Sequence, residues 1–342
     1  MAYTTINKSG EHFNTKLYTG TETADTNITG VGFQPDWVWI KNRDTTGWHN
    51  LHDAVRGAGK LIYTNRTNAE RDDAISLTSL SSFNSDGFTV GNNGDTNGNG
   101  NNIASWNWKA NGAGSANTDG SISSTVSANT TAGFSIVSYT GTNATGTVGH
   151  GLGATPKIVL YKNRTDVTYC YFTTSIIDGT HDLLLLPALD AQQPFSASLP
   201  TNSVLNLIAN NDTNGSGDNI IAYCFAEKKG YSKFGSYVGN GNADGTFIYT
   251  GFKPAFVINK RTDSIGNWNM RDVKRDVNEN TNNLYSNLDN AEASGQGIDF
   301  LSNGFKQRNN GGDNNGSGAT YIYMAFAEAP LVGSNNVPCT AR

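Results

Sequence analysis

The densest set of chemically able side chains is Trp48, His52, Asp53 and Arg56, echoed further on by Trp268, Asp272 and Arg275. An indole beside a carboxylate and a guanidinium suits a sugar: the ring face stacks on the C–H face of a pyranose, and the ionised pair hydrogen-bonds its hydroxyls. The same residues serve equally well as fabric of the fold, with the tryptophan in a core and Asp–Arg as a structural bridge. These seven residues are the candidate glycan contacts.

Three loops rich in Asn, Asp and Gly form a second candidate: Asn93 to Gly100, Asn211 to Asp218 and Gly312 to Gly316. Their oxygens are hard ligands of the type Ca²⁺ takes, but none has EF-hand spacing and each offers one or two carboxylates. Asn and Gly also tolerate positive φ in ordinary turns. Whether a metal binds is left open, and no cofactor is expected. Glu227 and Glu328 close equivalent strands, yet a glycosidase needs two carboxylates facing one bond and these belong to different repeats. Nucleophile elbows, phosphate-binding loops and the HExxH zinc pattern are missing. The expected chain is not an enzyme. Lys41/Arg43 and Lys162/Arg164 alternate onto one strand face, where they either neutralise acidic loops of a neighbouring subunit or end a solvated strand.

The elements that must carry these residues are announced by a repeat. Gly32-Phe33-Gln34-Pro35 leads into Trp37-Val38-Trp39-Ile40-Lys41; Gly153 to Pro156 leads into Ile158 to Lys162; Gly251 to Pro254 leads into Phe256 to Lys260. Proline lacks an N–H and fixes φ, so it suits the start of a strand. The apolar, β-prone run behind it reads as a buried strand. Before each copy stands a shorter strand element: Phe13 to Tyr18, Phe134 to Thr142, and Phe234 to Asn240. After each comes an alternating one: Ile103 to Ala110, Ile220 to Glu227, and Tyr321 to Glu328. In these last strands Trp106, Tyr223 and Met324 share a face with Trp108, Phe225 and Phe326.

The predicted class is all-β, as three tandem β-sandwich domains of jelly-roll or lectin-like type. The predicted division is a leader at 1–12, repeats at 13–110, 131–229 and 230–330, a flexible or extended linker at 111–130, and a tail at 331–342.

Composition narrows the function. With 342 residues the chain is long enough for several cores; 39 glycines and only 15% charged residues favour turns between short strands. The net charge of -5 and the absence of a basic cluster speak against nucleic acid. The first residues lack the apolar segment of a secretory signal, and no run is long enough to insert in a membrane. Cys170, Cys224 and Cys339 have neither metal-ligand nor CxxC spacing, so reduced thiols are expected.

One combination of motifs is more specific. Tyr18-Thr19-Gly20, the run from Gly32 to Arg43, Phe83 to Gly91, Trp106-Asn107-Trp108-Lys109-Ala110, Gly133 to Gly141 and Tyr321 to Glu328 together resemble a repeat family of phage genomes, marine ones especially. The resemblance covers nearly the whole chain. It implies a bacteriophage virion structural protein on the particle surface, tail-fibre-associated or a capsid decoration. Such a protein is made in the host cytoplasm and assembles as a homo-oligomer with other virion proteins. The second repeat departs from the pattern between Asp166 and Pro200. The alternative expectation is a lectin-like module for host attachment, binding a surface polysaccharide through the tryptophan sites.

Overall fold

The computed structural model describes every residue except 1–2, 74–77, 277–281, 296, 334, 336 and 339–342, so Cys339 lies outside the described residues. The fold is all-β and its named strands pair antiparallel. Each repeat is built from one large and one small sheet. In the first, the large sheet runs in the order Phe13–Thr19, Asn102–Trp108, Trp37–Asn42, Asn50–Asp53, Lys60–Tyr63, Arg71–Asp72. The second and third keep the same centre: Phe134–Thr140, Asn219–Phe225, Ile158–Asn163 and Cys170–Thr174, then Ser232–Val238, Thr320–Pro330, Phe252–Arg261 and Trp268–Asp272. The small sheets are Thr26–Thr29 with Gly87–Val90 and Leu80–Asn84, Gly146–Gly149 with Val204–Leu207, and Phe247–Tyr249 with Gly304–Gln307 and Ile298–Leu301.

The proline strands fall where the sequence put them. The central residues Trp37–Asn42 and Ile158–Asn163 are buried throughout, as a strand covered on both faces requires. In the third repeat the strand starts ahead of its proline, and the register against Thr320–Pro330 slips on both sides of Pro254. A bulge is how a residue without an N–H stays inside a ladder. Residues Ser115–Asn117 and Ser124–Asn129, expected in a linker, are the outermost strand and its neighbour at one side of the second large sheet. The leader is docked as well: Ile6 is buried in the main core and Tyr3 donates from its hydroxyl to the Gly251 carbonyl.

The small sheets cover one face of each large sheet and enclose three satellite cores, around Val38 and Phe88, Val159 and Leu205, and Val257 and Phe305. The other faces of the three large sheets meet each other. One cluster holds Trp37, Trp106 and Trp108 from the first repeat, Leu160 and Phe225 from the second, and Phe256 and Phe326 from the third. Trp37 lies 4.8 Å, centroid to centroid, from Tyr223, and Phe13 lies 5.4 Å from Phe326. Tandem sandwiches therefore describe each repeat but not their union, because the broadest apolar surface of each is buried only by the other two.

The Tyr-Thr-Gly motif has a local cause. Tyr18 donates to the Thr96 carbonyl at 2.6 Å, and Tyr237 to that of Asn314 at 2.8 Å, tying each first strand to the Asn/Gly loop that follows. A Cβ on Gly20 would lie 2.2 Å from the Gly98 carbonyl oxygen, and on Gly141 2.2 Å from that of Gly215, so backbone meets backbone there and only glycine fits. Those loops contain one-turn helices, Gly94–Asn97 and Asn211–Asn214, capped by the side chains of Asn93 and Asn210.

Trp106→Ala or Phe326→Ala should remove about 3–5 kcal/mol, because neither void can collapse against three rigid sheets. With one core shared by the repeats, calorimetry of the unmodified chain should give a single unfolding transition. Three separate transitions would contradict the shared core.

Candidate functional site

The candidate residues sit at the seams between repeats. Asp53 ends the strand next to Trp37–Asn42, and the backbone N–H of Arg56 donates to its carboxylate at 2.8 Å, closing a tight turn. The Arg56 guanidinium also donates to that carboxylate, to the Leu51 carbonyl at 2.9 Å and to Glu70 at 3.0 Å. Two groups from the second repeat complete the set. Tyr223 donates to Asp53 at 2.7 Å, and Arg164 forks onto Glu70 with two bonds of 2.8 Å.

The third repeat repeats the design against the first. Arg275 donates to Asp272 at 2.5 Å and to Glu292 at 2.9 Å; Trp106 of the first repeat donates to Asp272 at 2.9 Å; Arg43 forks onto Glu292 at 2.9 and 2.7 Å. The Arg275 guanidinium lies 5.4 Å over the Trp106 ring.

The lysines that close the proline strands do related work. Lys41, Lys162 and Lys260 are fully buried, and each donates across a seam to a backbone carbonyl: Asp289 at 3.2 Å, Thr67 at 3.0 Å and Leu189 at 3.0 Å. Burial pushes Lys41 and Lys260 down to about 8 and lowers Lys162 too. The expected choice between a neighbouring subunit's acids and a solvated strand end is thus resolved otherwise. The charges face the adjacent repeat of the same chain. The contacts form a ring, in which the first repeat leans on the third, the second on the first and the third on the second.

The third joint departs from the other two. The ladders place Thr174 opposite Ile158 as Asp53 stands opposite Trp37 and Asp272 opposite Phe256. The Gln192 N–H bonds the Thr262 carbonyl, as Glu70 bonds that of Arg164 and Glu292 that of Arg43. Counting along from these anchors, Thr174, Ile177 and Gln192 replace Asp, Arg and Glu. Thr262 replaces the forking arginine, and Met324 replaces the Trp106 or Tyr223 donor.

As a glycan platform six of the seven predicted residues are closed. Asp53, Arg56, Trp268, Asp272 and Arg275 are buried because the seams they line are covered by the neighbouring repeat, and His52 is buried within its own repeat, against the Lys60 carbonyl. His52 is held neutral: burial first, and then Arg56, push it down to about 3. Trp48 alone is half-exposed, its ring edge-on to Tyr63 at 4.8 Å and under the Arg66 guanidinium at 5.0 Å. Nor are Trp48 and Trp268 equivalent. The N–H of His49 donates to Asn65 as that of Trp268 donates to Asn287, so Trp268 takes the place of His49. Its indole instead reaches the Leu185 carbonyl of the second repeat at 3.3 Å.

The loop asparagines are likewise committed. Asn97, Asn214 and Asn315 are fully buried and accept from the backbone N–H groups of Thr21, Thr142 and Asn240. Among the described residues no three His, Cys, Asp or Glu side chains gather as a metal would need. Glu227 and Glu328 pair with Lys233 and Lys253 at 3.2 and 2.6 Å.

Sequence reasoning missed Glu70 and Glu292 as partners of Arg164 and Arg43. The echo Asn68-Ala69-Glu70 and Asn290-Ala291-Glu292, matched by Asp190-Ala191-Gln192, was the available signal.

A family model described as Domain of unknown function (DUF7483) matches residues 8–330. The chain belongs to that family. The match runs through all three repeats. No curated protein matches the sequence.

In this DUF7483 chain the seams make stability depend on pH. Burial works against the carboxylates of Glu70 and Glu292, but hydrogen bonds and charge from Arg164 and Arg56, and from Arg43 and Arg275, outweigh it and hold both below the ordinary 4.5. A depressed folded pKa contributes stability that is present above 4.5 and lost as pH falls through the lower folded value. Glu70→Gln should cost about 3 kcal/mol at pH 7 by leaving two arginines short of a charge. It should also flatten the acid limb of a denaturant-midpoint-versus-pH curve; an unchanged limb would refute the assignment.

Proposed function

We propose that the chain is a non-enzymatic structural protein of a phage particle surface. In this reading it is tail- or fibre-associated or decorates the capsid, and it assembles with copies of itself and with other virion proteins. The observation that carries this reading is where the reactive side chains are used. The Asp–Arg–Glu sets that looked able to grip a substrate join one repeat to the next, with Asp and Arg buried and Glu almost so. The motif resemblance supports the same reading. Synthesis in the host cytoplasm and residence in the virion go with it. Among the described residues no helix is long and apolar enough to cross a membrane.

The third repeat carries a surface suited to association. Phe247–Tyr249 is an edge strand, with Phe247 44% and Tyr249 56% exposed, whereas the matching strand of the first repeat exposes Asn27 and Thr29. An edge strand with unpaired backbone groups and exposed aromatic rings invites a partner.

Light scattering with negative-stain imaging should find a discrete oligomer or filament of the purified chain. Phe247→Asp with Tyr249→Asp should shift it toward monomer while leaving the thermal midpoint almost unmoved. A monomer at every concentration would overturn self-assembly as the function.

A further inference from the structure

Where the third joint lacks its charge network, the surface holds a cleft of about 620 Å³. Three of the five replaced positions bear on it: Ile177, Gln192 and Thr262 line its walls. The comparison with the joint between the first and second repeats shows how it opens. There Arg164 extends over Ser138, 3.5 Å from its hydroxyl, to reach Glu70. Ser236 is the counterpart of Ser138, since each stands across its ladder from an isoleucine four residues before the core phenylalanine, Phe225 or Phe326. With threonine in place of arginine, nothing covers Ser236, which is exposed and lines the cleft. The fold can seal this place and does so twice; here all five sealing residues are exchanged together for neutral ones.

We propose that this cleft binds a neutral saccharide. Its volume lies within the range of small-molecule sites, roughly 300–1,000 Å³. Its polar groups suit hydroxyls, which donate and accept alike. Asp178 and Asp263 offer carboxylate oxygens, Gln192 an amide with both a donor and an acceptor end, and Ser236 a hydroxyl. Ile177 and Val238 give an apolar patch for the C–H face of a ring; Val238 is 56% exposed. An anion is disfavoured. Two carboxylates and no Lys, Arg or His line the cleft, and Arg261 beside it is already on Asp263 at 2.8 Å. The site is separate from the tryptophan positions expected from sequence and does not depend on the assembly reading.

The test is ligand-observed saturation-transfer NMR on the full chain with neutral hexoses, N-acetylhexosamines and their disaccharides as probes. At least one probe should bind. The variant Ile177→Arg/Gln192→Glu/Thr262→Arg, which installs three of the five sealing residues of the other joints, should fold and weaken that binding by about tenfold or more. Gln192→Ala with Ser236→Ala removes hydroxyl partners from an outer wall, and should weaken binding in the same direction if the sealed variant fails to fold. Absence of binding by every probe overturns the proposal. So does binding unchanged in the folded variants, or binding of a polyamine in place of any sugar.

Discussion

Each large sheet in this protein has two apolar faces, and its own repeat supplies a cover for only one. That deficit governs the architecture. A sheet flanked by water on a face carrying Trp37, Trp39, Trp106 and Trp108 would forfeit the burial that stabilises it, at roughly 25 cal/mol per Å² of apolar surface. Three such faces satisfy one another by closing around a common core. The remaining features follow: strands buried on both sides, proline at or near the entry of the central strand, and polar chemistry moved to the seams where the sheets' edges meet.

The seams solve a second problem. Strands that end at a shared core bring carbonyls and side-chain ends out of water, and buried polar groups must be paired. The lysines answer this with donors to the neighbour's backbone, and the forked arginines with bidentate bonds to a glutamate. An ionised pair in such a place is weak evidence for net stability and stronger evidence for geometry, since it tolerates little displacement. The same groups read, in isolation, as a binding site.

Much of the fold was legible. Period-two patterns, the proline entries and the threefold recurrence placed the principal strands, and the shared face of Trp106 and Trp108 was correct. What was not legible is tertiary. Sequence could not say that the buried face of each repeat would meet the other two, so Asp53 and Asp272 looked available when they were enclosed. The linker reading failed because a Ser/Thr-rich stretch with few apolar residues suits a strand at the side of a sheet as well as a tether. The equation of Trp48 with Trp268 failed by one residue, since matching letters outweighed the backbone pairing that aligns His49 with Trp268. In the second repeat the coordinated exchange of five residues was visible only as divergence until the joint gave those positions a common location.

The ring of joints is uneven, and unevenness gives it a direction. The first repeat borders both charged seams, through Arg43 with Glu292 and through Glu70 with Arg164. The second and third repeats share the seam without an arginine–glutamate fork and also follow each other directly in the chain. Acid that protonates Glu70 and Glu292 therefore acts on both borders of one lobe, whereas Gln192 stands in the glutamate's place at the border opposite. Of the three equivalent-looking lobes, the first alone is held on both sides by pairs that acid can break.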